Sequence, residues 1–133
     1  MLLHGIDMCG IKPGHQVVII GGGMIGLLML QLSKLAGAAK TALIEPVEVK
    51  RLTGKKLGAD ICIDPTGKDV KKILEENGMN WINTVIECVG RPSTIRQAID
   101  LAGPKGVVMM FGLTRRMKKL KSDLLKYFKR NWN

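Results

Sequence analysis

Between a β-branched run, Gln16-Val17-Val18-Ile19-Ile20, and a stretch of helical periodicity lies Gly21-Gly22-Gly23-Met24-Ile25-Gly26. No other feature constrains the fold as tightly, since glycines spaced G-x-G-x-x-G at a strand-to-helix junction each allow something a side chain forbids. Gly21 permits the sharp turn, Gly23 lets backbone come close to a bound group, and Gly26 allows the helix to pack tightly on the strand. Beyond the turn, Ile25, Leu28, Met29, Leu32 and Leu35 recur at helical spacing and Gly37 stops the helix. The free N–H groups of its first turn, together with the positive end of the helix dipole, make an anion site.

Three more strand-helix units follow: Thr41 to Glu45 before Val47 to Leu57, Ile61 to Ile63 before Lys68 to Glu76, and Thr84 to Cys88 before Ser93 to Leu101. Gly106 to Phe111 reads as a last strand. Short apolar strands alternating with helices of about ten residues require crossovers and a parallel sheet covered on both faces. The expected class is therefore doubly wound α/β of the Rossmann type, with about five to six strands and helices on both faces. A chain of 133 residues suffices for one such domain and leaves no room for a second.

Glu45 ends the second strand, 19 residues after Gly26, which is the spacing of a dinucleotide-binding fingerprint. Its carboxylate can accept hydrogen bonds from both hydroxyls of an adenosine ribose and repels a 2′-phosphate, so the expected cofactor is NAD rather than NADP. Two readings compete here: a solvated strand-end glutamate would look the same, and Lys50 or Arg51 beside it could tolerate a phosphate. Cys88-Val89-Gly90 and Phe111-Gly112-Leu113 fall at the carboxyl ends of the fourth and fifth strands, where ligands of such sheets bind. Gly90 and Gly112 either admit the nicotinamide half of the cofactor or simply begin turns.

The net charge of +10 suggests nucleic acid until its distribution is considered. Residues 1–114 hold 13 basic and 10 acidic side chains, whereas residues 115–133 hold eight basic ones and Asp123 alone. Met117, Leu120, Leu124, Tyr127 and Phe128 fall on one stripe of that lysine-rich segment, as in a basic amphipathic helix. The chain thus divides into a nucleotide-binding domain, 1–114, and a C-terminal helix, 115–133. Such a helix is compatible with nucleic acid or an anionic membrane, but covering an exposed sheet edge is the commoner use and the one expected. A homo-oligomer formed through that edge stays open. No apolar run reaches the length of a membrane span and the N-terminus lacks the pattern of a secretory signal, so a cytoplasmic location is expected. Cys9, Cys62 and Cys88 are odd in number and widely spaced, as core thiols are, and His4 and His15 lack ligand company, so no metal site is expected.

His4-Gly5-Ile6-Asp7, Ile11-Lys12-Pro13-Gly14, Gly21 through Gly26, Gln31 through Ala38, Lys56-Leu57-Gly58-Ala59-Asp60 and Val85-Ile86-Glu87-Cys88-Val89-Gly90 are jointly specific in order and spacing. Together they resemble the coenzyme domain of the zinc-containing medium-chain alcohol and polyol dehydrogenases, nearest the sorbitol and threonine dehydrogenase branch. The resemblance runs over about residues 2–114. It implies phosphate contacts from the backbone at Met24 and Ile25, ribose contacts from Glu45, an adenosine-side cation at Lys50, and a nicotinamide side lined by Val89, Gly112 and Leu113. It also implies a parent enzyme that oxidises a secondary alcohol or polyol by hydride transfer to NAD, with its catalytic zinc in a further domain that nothing in this chain resembles. The chain is accordingly expected to bind NAD without turnover. Two departures are Met24, where the family often has proline, and Gly54 inside a helix, at about 1 kcal/mol relative to alanine. An alternative of another class is an NAD(H)-sensing module whose basic tail engages a partner. A short-chain reductase is disfavoured because Tyr127 is followed four residues later by Asn131 instead of lysine. A methyltransferase, whose fold also opens on a glycine-rich turn and an acidic strand end, stays open.

Overall fold

Five parallel strands form one sheet: β1 (Gln16–Ile20), β2 (Lys40–Ile44), β3 (Ile61–Ile63), β4 (Thr84–Glu87) and β5 (Val107–Met110). Their spatial order is β3-β2-β1-β4-β5, as seen in a computed structural model that describes residues 10–112 together with 122, 123, 125, 126, 129 and 130. The connecting helices are α1 (Met24–Leu35), α2 (Glu48–Lys56), α3 (Val70–Glu76) and α4 (Pro92–Leu101). This is the expected doubly wound Rossmann arrangement, with five strands among the described residues.

β1 lies at the centre because its run of valines and isoleucines is apolar on both faces, which only a strand covered on both sides can bury. Alternation along it sends Val18 and Ile20 into one core, with Leu74 of α3 and Ala98 and Leu101 of α4. Val17 and Ile19 enter the opposite core, with Met29 and Leu30 of α1 and Leu43 of β2. Burying one such side chain contributes about 1.5–3 kcal/mol, so the two cores hold the helices on their faces.

After β1 the chain builds outward through β2 and β3, then returns to lay β4 on the other flank of β1. That reversal opens a crevice between the carboxyl ends of β1 and β4, where sheets of this kind take ligands. Hydrogen bonds from Gly21 N–H to the Ile44 carbonyl and from Cys88 N–H to the Ile20 carbonyl, each 2.9 Å, carry the ladder into the loops that flank it.

Element ends differ from the sequence expectation by a residue or two. Glu45 falls just past β2, although its N–H still reaches the Ile63 carbonyl at 2.9 Å. Gly54 is a correction of substance: a Cβ there would lie 2.3 Å from Leu43 Cδ2, so close approach of α2 to β2 requires the glycine that helix propensity alone disfavours. Of the expected C-terminal helix, Ser122, Asp123, Leu125, Lys126, Lys129 and Arg130 are described, and all are helical and exposed. Its apolar stripe of Met117, Leu120, Leu124, Tyr127 and Phe128 lies outside the described residues, as does Cys9. No helix among the described residues is long and apolar enough to cross a membrane.

Candidate functional site

The glycine turn is built as its spacing requires. Gly21 takes φ +104°, in the left-handed region that disfavours side chains, and a Cβ on it would come 2.9 Å from Val89 Cγ2. The turns after β1 and β4 are therefore in contact at the crevice. Gly26 sits in the first turn of α1, where a Cβ would lie 1.8 Å from the Gly21 carbonyl oxygen. Close packing of the helix thus occurs against the turn's own backbone more than against β1.

Gly23 differs from both. It precedes α1 in extended conformation, φ −75° and ψ −171°, and a Cβ on it would meet no described atom within 4 Å beyond its chain neighbours. Nothing in the folding of the described residues demands glycine at this position. No side chain caps α1 and its first turn carries no acidic residue, so its leading N–H groups face outward with the positive end of the dipole. Met24, the first helical residue, is 84 % exposed, whereas Ile25 packs into the core beneath α1.

Glu45 is not the solvated strand-end residue that the sequence left open: it is only 5 % exposed. Oε1 accepts a hydrogen bond from Gly22 N–H at 2.8 Å and Oε2 accepts one from Val47 N–H at 2.9 Å. The carboxylate therefore ties the end of β2 to the glycine turn, and a Cβ on Gly22 would press on Glu45 Cγ at 3.0 Å. Two oxygens offer about four acceptor sites, so two backbone donors leave capacity for further hydroxyls.

The neighbouring cations are arranged unequally. Lys50 stands exposed on α2. Arg51 is engaged by its own corner of the fold: Nη1 donates to the carbonyls of Glu45 at 3.0 Å and Pro46 at 2.7 Å, and lies 3.8 Å from Asp64 Oδ2. Asp64 is held below the usual carboxylate range chiefly by the Thr66 N–H it accepts at 3.0 Å, with Arg51 a smaller contributor. Burial pushes the nearby Cys62 thiol up, opposed by Lys55 and Arg51.

On the far side of the crevice, the glycines that follow β4 and β5 are brought together. A Cβ on Gly112 would lie 2.3 Å from Gly90 N and 2.6 Å from the Val89 carbonyl carbon, so the two strand ends touch backbone to backbone. Leu113 lies outside the described residues. Sequence reasoning missed the group that organises this side. Glu87, fully buried at the end of β4, accepts through Oε1 from Val89 N–H at 2.7 Å, Gly90 N–H at 2.7 Å and the Thr94 hydroxyl at 3.0 Å. A carboxylate inside the apolar run Val85-Ile86-Glu87-Cys88-Val89 was the signal available. The sites expected from sequence thus fall into two groups flanking the end of β1, Glu45 on one side and Val89, Gly90 and Gly112 on the other, with the glycine turn between them.

Known proteins resemble this chain in sequence and in fold. L-threonine 3-dehydrogenase of Pyrococcus furiosus is 34 % identical over 107 residues, covering 80 % of this chain and 31 % of the relative. Scyllo-inosose 3-dehydrogenase of Thermotoga maritima is 42 % identical over 92 residues, covering 68 % of this chain and 23 % of the relative. The solved structure of a zinc-binding dehydrogenase from Sinorhizobium meliloti 1021 bound to NADP superposes with a TM-score of 0.79 at 38 % identity, covering 84 % of this chain and 33 % of that one. The chain therefore matches about a quarter to a third of the length of these relatives. The profile described as zinc-binding dehydrogenase matches residues 24–131, running beyond Thr114, where the resemblance read from individual segments stops. With the sheet order, the glycine turn and the matched residues in agreement, this chain belongs to the zinc-binding dehydrogenase family.

Proposed function

We propose that the chain binds NAD(H) across the carboxyl ends of its strands and acts as the coenzyme-holding part of a zinc-dependent alcohol or polyol dehydrogenase. The observation that carries this reading is Gly23. Its glycine is not demanded by packing among the described residues, yet it stands before an uncapped helix N-terminus, where a Cβ would obstruct an approaching pyrophosphate. In this reading the turn from Gly21 to Gly26 receives the phosphates, with N–H groups from Met24 and Ile25. Glu45 receives the ribose hydroxyls, Lys50 flanks the adenosine, and Val89, Gly90, Gly112 and Leu113 line the nicotinamide end.

The neighbour from Sinorhizobium meliloti holds NADP, which supports dinucleotide binding by this architecture. The preference for NAD rests on this chain's own residues. Glu45 brings a negative charge to the ribose side, and Arg51 beside it already serves two carbonyls and Asp64. A 2′-phosphate would meet repulsion from Glu45, partly offset by the exposed Lys50.

Bound NAD supplies a hydride acceptor; the chain's residues hold and orient it. Oxidising an alcohol also requires polarising its oxygen and removing its proton. The zinc of the family does not fit the described residues, which contain no group of three or more His, Cys, Asp or Glu side chains able to hold a metal ion. In this reading the 133-residue chain by itself holds the cofactor without alcohol-dependent NADH production. Calorimetric titration with NADH and NADPH, on the chain and on Glu45→Gln, tests the reading. NADH should bind at least about tenfold tighter, a difference of ~1.4 kcal/mol, and Glu45→Gln should narrow that gap. Equal affinity for the two cofactors would overturn the NAD assignment, and no binding of either would overturn the cofactor reading itself.

A further inference from the structure

Glu87 is the one buried carboxylate among the described residues whose two oxygens fare so differently. Oε1 gathers three donors, from Val89, Gly90 and Thr94, while Oε2 is buried with no hydrogen-bond partner among the described residues. Taking a carboxylate out of water costs several kcal/mol unless it is well paired, so an apolar residue would suit the end of β4 better if only packing mattered. The side chain's contacts show what the cost maintains. Two consecutive N–H groups drawn to one oxygen orient two successive peptide planes, Cys88–Val89 and Val89–Gly90, and charge-assisted bonds of 2.7 Å are of the strong kind.

The Val89–Gly90 peptide is where the crevice is tightest. Val89 Cγ2 abuts Gly21, and Gly112 leaves no space for a Cβ against Val89 and Gly90. Thr94 links the same oxygen to α4, since its hydroxyl also accepts from Arg91 N–H at 3.2 Å. Glu87 thus orients the β4–α4 turn directly and bears on the glycine turn through the contact of Val89 with Gly21, whereas Glu45 lies across β1.

We propose that Glu87 is a positioning residue for the nicotinamide half of the cofactor, acting through the Val89–Gly90 peptide that its Oε1 holds. The inference rests on the NAD(H) reading above and adds a division of labour to it: the glycine turn and Glu45 serve the adenosine diphosphate half, Glu87 the nicotinamide half. Substitution at Glu87 should then separate two ligands that differ only in the nicotinamide, NADH and ADP-ribose.

The test measures the affinity of both ligands, and the fluorescence of bound NADH, for the 133-residue chain and for Glu87→Asp and Glu87→Gln. Aspartate withdraws the oxygen by about one carbon–carbon bond and should weaken NADH binding about tenfold while ADP-ribose changes less than about twofold, as expected for losing two charge-assisted hydrogen bonds at one end of a ligand site. Glutamine keeps the volume and an acceptor oxygen but not the charge. It should fall between the two, and it decides the matter should the shorter side chain unfold the sheet. The enhancement of NADH fluorescence, which reports the nicotinamide's surroundings, should diminish in the same order. A merely structural role would lower thermal stability and leave the ratio of the two affinities and the fluorescence of bound NADH unaltered, and that result overturns the proposal. If the unsubstituted chain binds neither ligand, the cofactor reading fails and takes this inference with it; if it binds both and the ratio stays constant across the variants, only the role of Glu87 is refuted.

Discussion

Gly23→Ala and Gly26→Ala place the same methyl group three residues apart, at the N-cap and in the first turn of α1, and should have opposite consequences. On Gly26 the Cβ would lie 1.8 Å from the Gly21 carbonyl oxygen, where ordinary contact begins at 3.4 Å, so α1 would have to withdraw by about 1.6 Å. The obstacle is backbone and cannot rotate away, which puts the cost near the upper end of overpacking, about 3 kcal/mol. At roughly 3–5 °C per kcal/mol for a chain of this length, the melting temperature should fall by about 10 °C. On Gly23 the Cβ meets nothing among the described residues within 4 Å beyond its chain neighbours, and φ −75° with ψ −171° is open to alanine. Loss of an N-cap preference and gain from a stiffer unfolded chain are each about 0.5–1 kcal/mol and oppose one another, so stability should stay within ~0.5 kcal/mol. NADH affinity should nevertheless drop at least about tenfold, because the methyl stands where a pyrophosphate would approach the helix end. Thermal unfolding followed by circular dichroism reads the first quantity and calorimetric titration the second. Should Gly23→Ala bind NADH as tightly as the parent, the open glycine has nothing to do with phosphate, and the principal support for the function falls.

Met24→Pro should stabilise the chain by about 0.4–1 kcal/mol, since Met24 is an exposed first helical residue after an extended glycine and its N–H has no intrahelical partner; a lower melting temperature would refute the geometry assigned to the start of α1. Gly54→Ala tests packing against propensity: propensity promises a gain of about 1 kcal/mol, but the contact with fully buried Leu43 should turn it into a loss of about 1–3 kcal/mol, read as a lower denaturant midpoint. Asp64 has a folded pKa below the ordinary aspartate value of 3.8, so whatever it contributes to stability is present above that pH and disappears as the pH falls through the lower, folded value. The melting temperatures of the chain and of Asp64→Asn should accordingly differ at pH 6 and converge as the pH is taken below 3.8; a difference that grows on acidification would show the sign to be wrong.

Local pattern carried far in this chain. The run Gln16–Ile20 and the glycine spacing after it determine a strand, a turn and a helix without reference to anything distant, and the structure forms all three. Glu45 was legible as an acid at the right spacing, but not as a buried one, because its bond to Gly22 joins residues 23 positions apart and exists only once β1 and β2 are neighbours. Gly54 looked like a defect for the same reason: the methyl of Leu43 that excludes a Cβ belongs to another element. Glu87 was in plain sight as a charge in an apolar strand, yet its role depends on how the next three residues fold back over it. Residues that answer to their sequence neighbours were readable, and residues that answer to a facing element were not.

The double attachment of Glu45 has a bearing on how cofactor preference could change over generations. If the carboxylate excludes a 2′-phosphate as proposed, a lineage moving toward a phosphorylated cofactor would first have to discard it, and a small apolar replacement would strand the buried N–H of Gly22 at about 1–3 kcal/mol and release the part-buried N–H of Val47. Only side chains that still offer an acceptor there, glutamine foremost, provide a passable intermediate. Under the proposed function, selectivity and foldability are thus inherited together at one position, and the number of mutational routes between the two cofactors is correspondingly small.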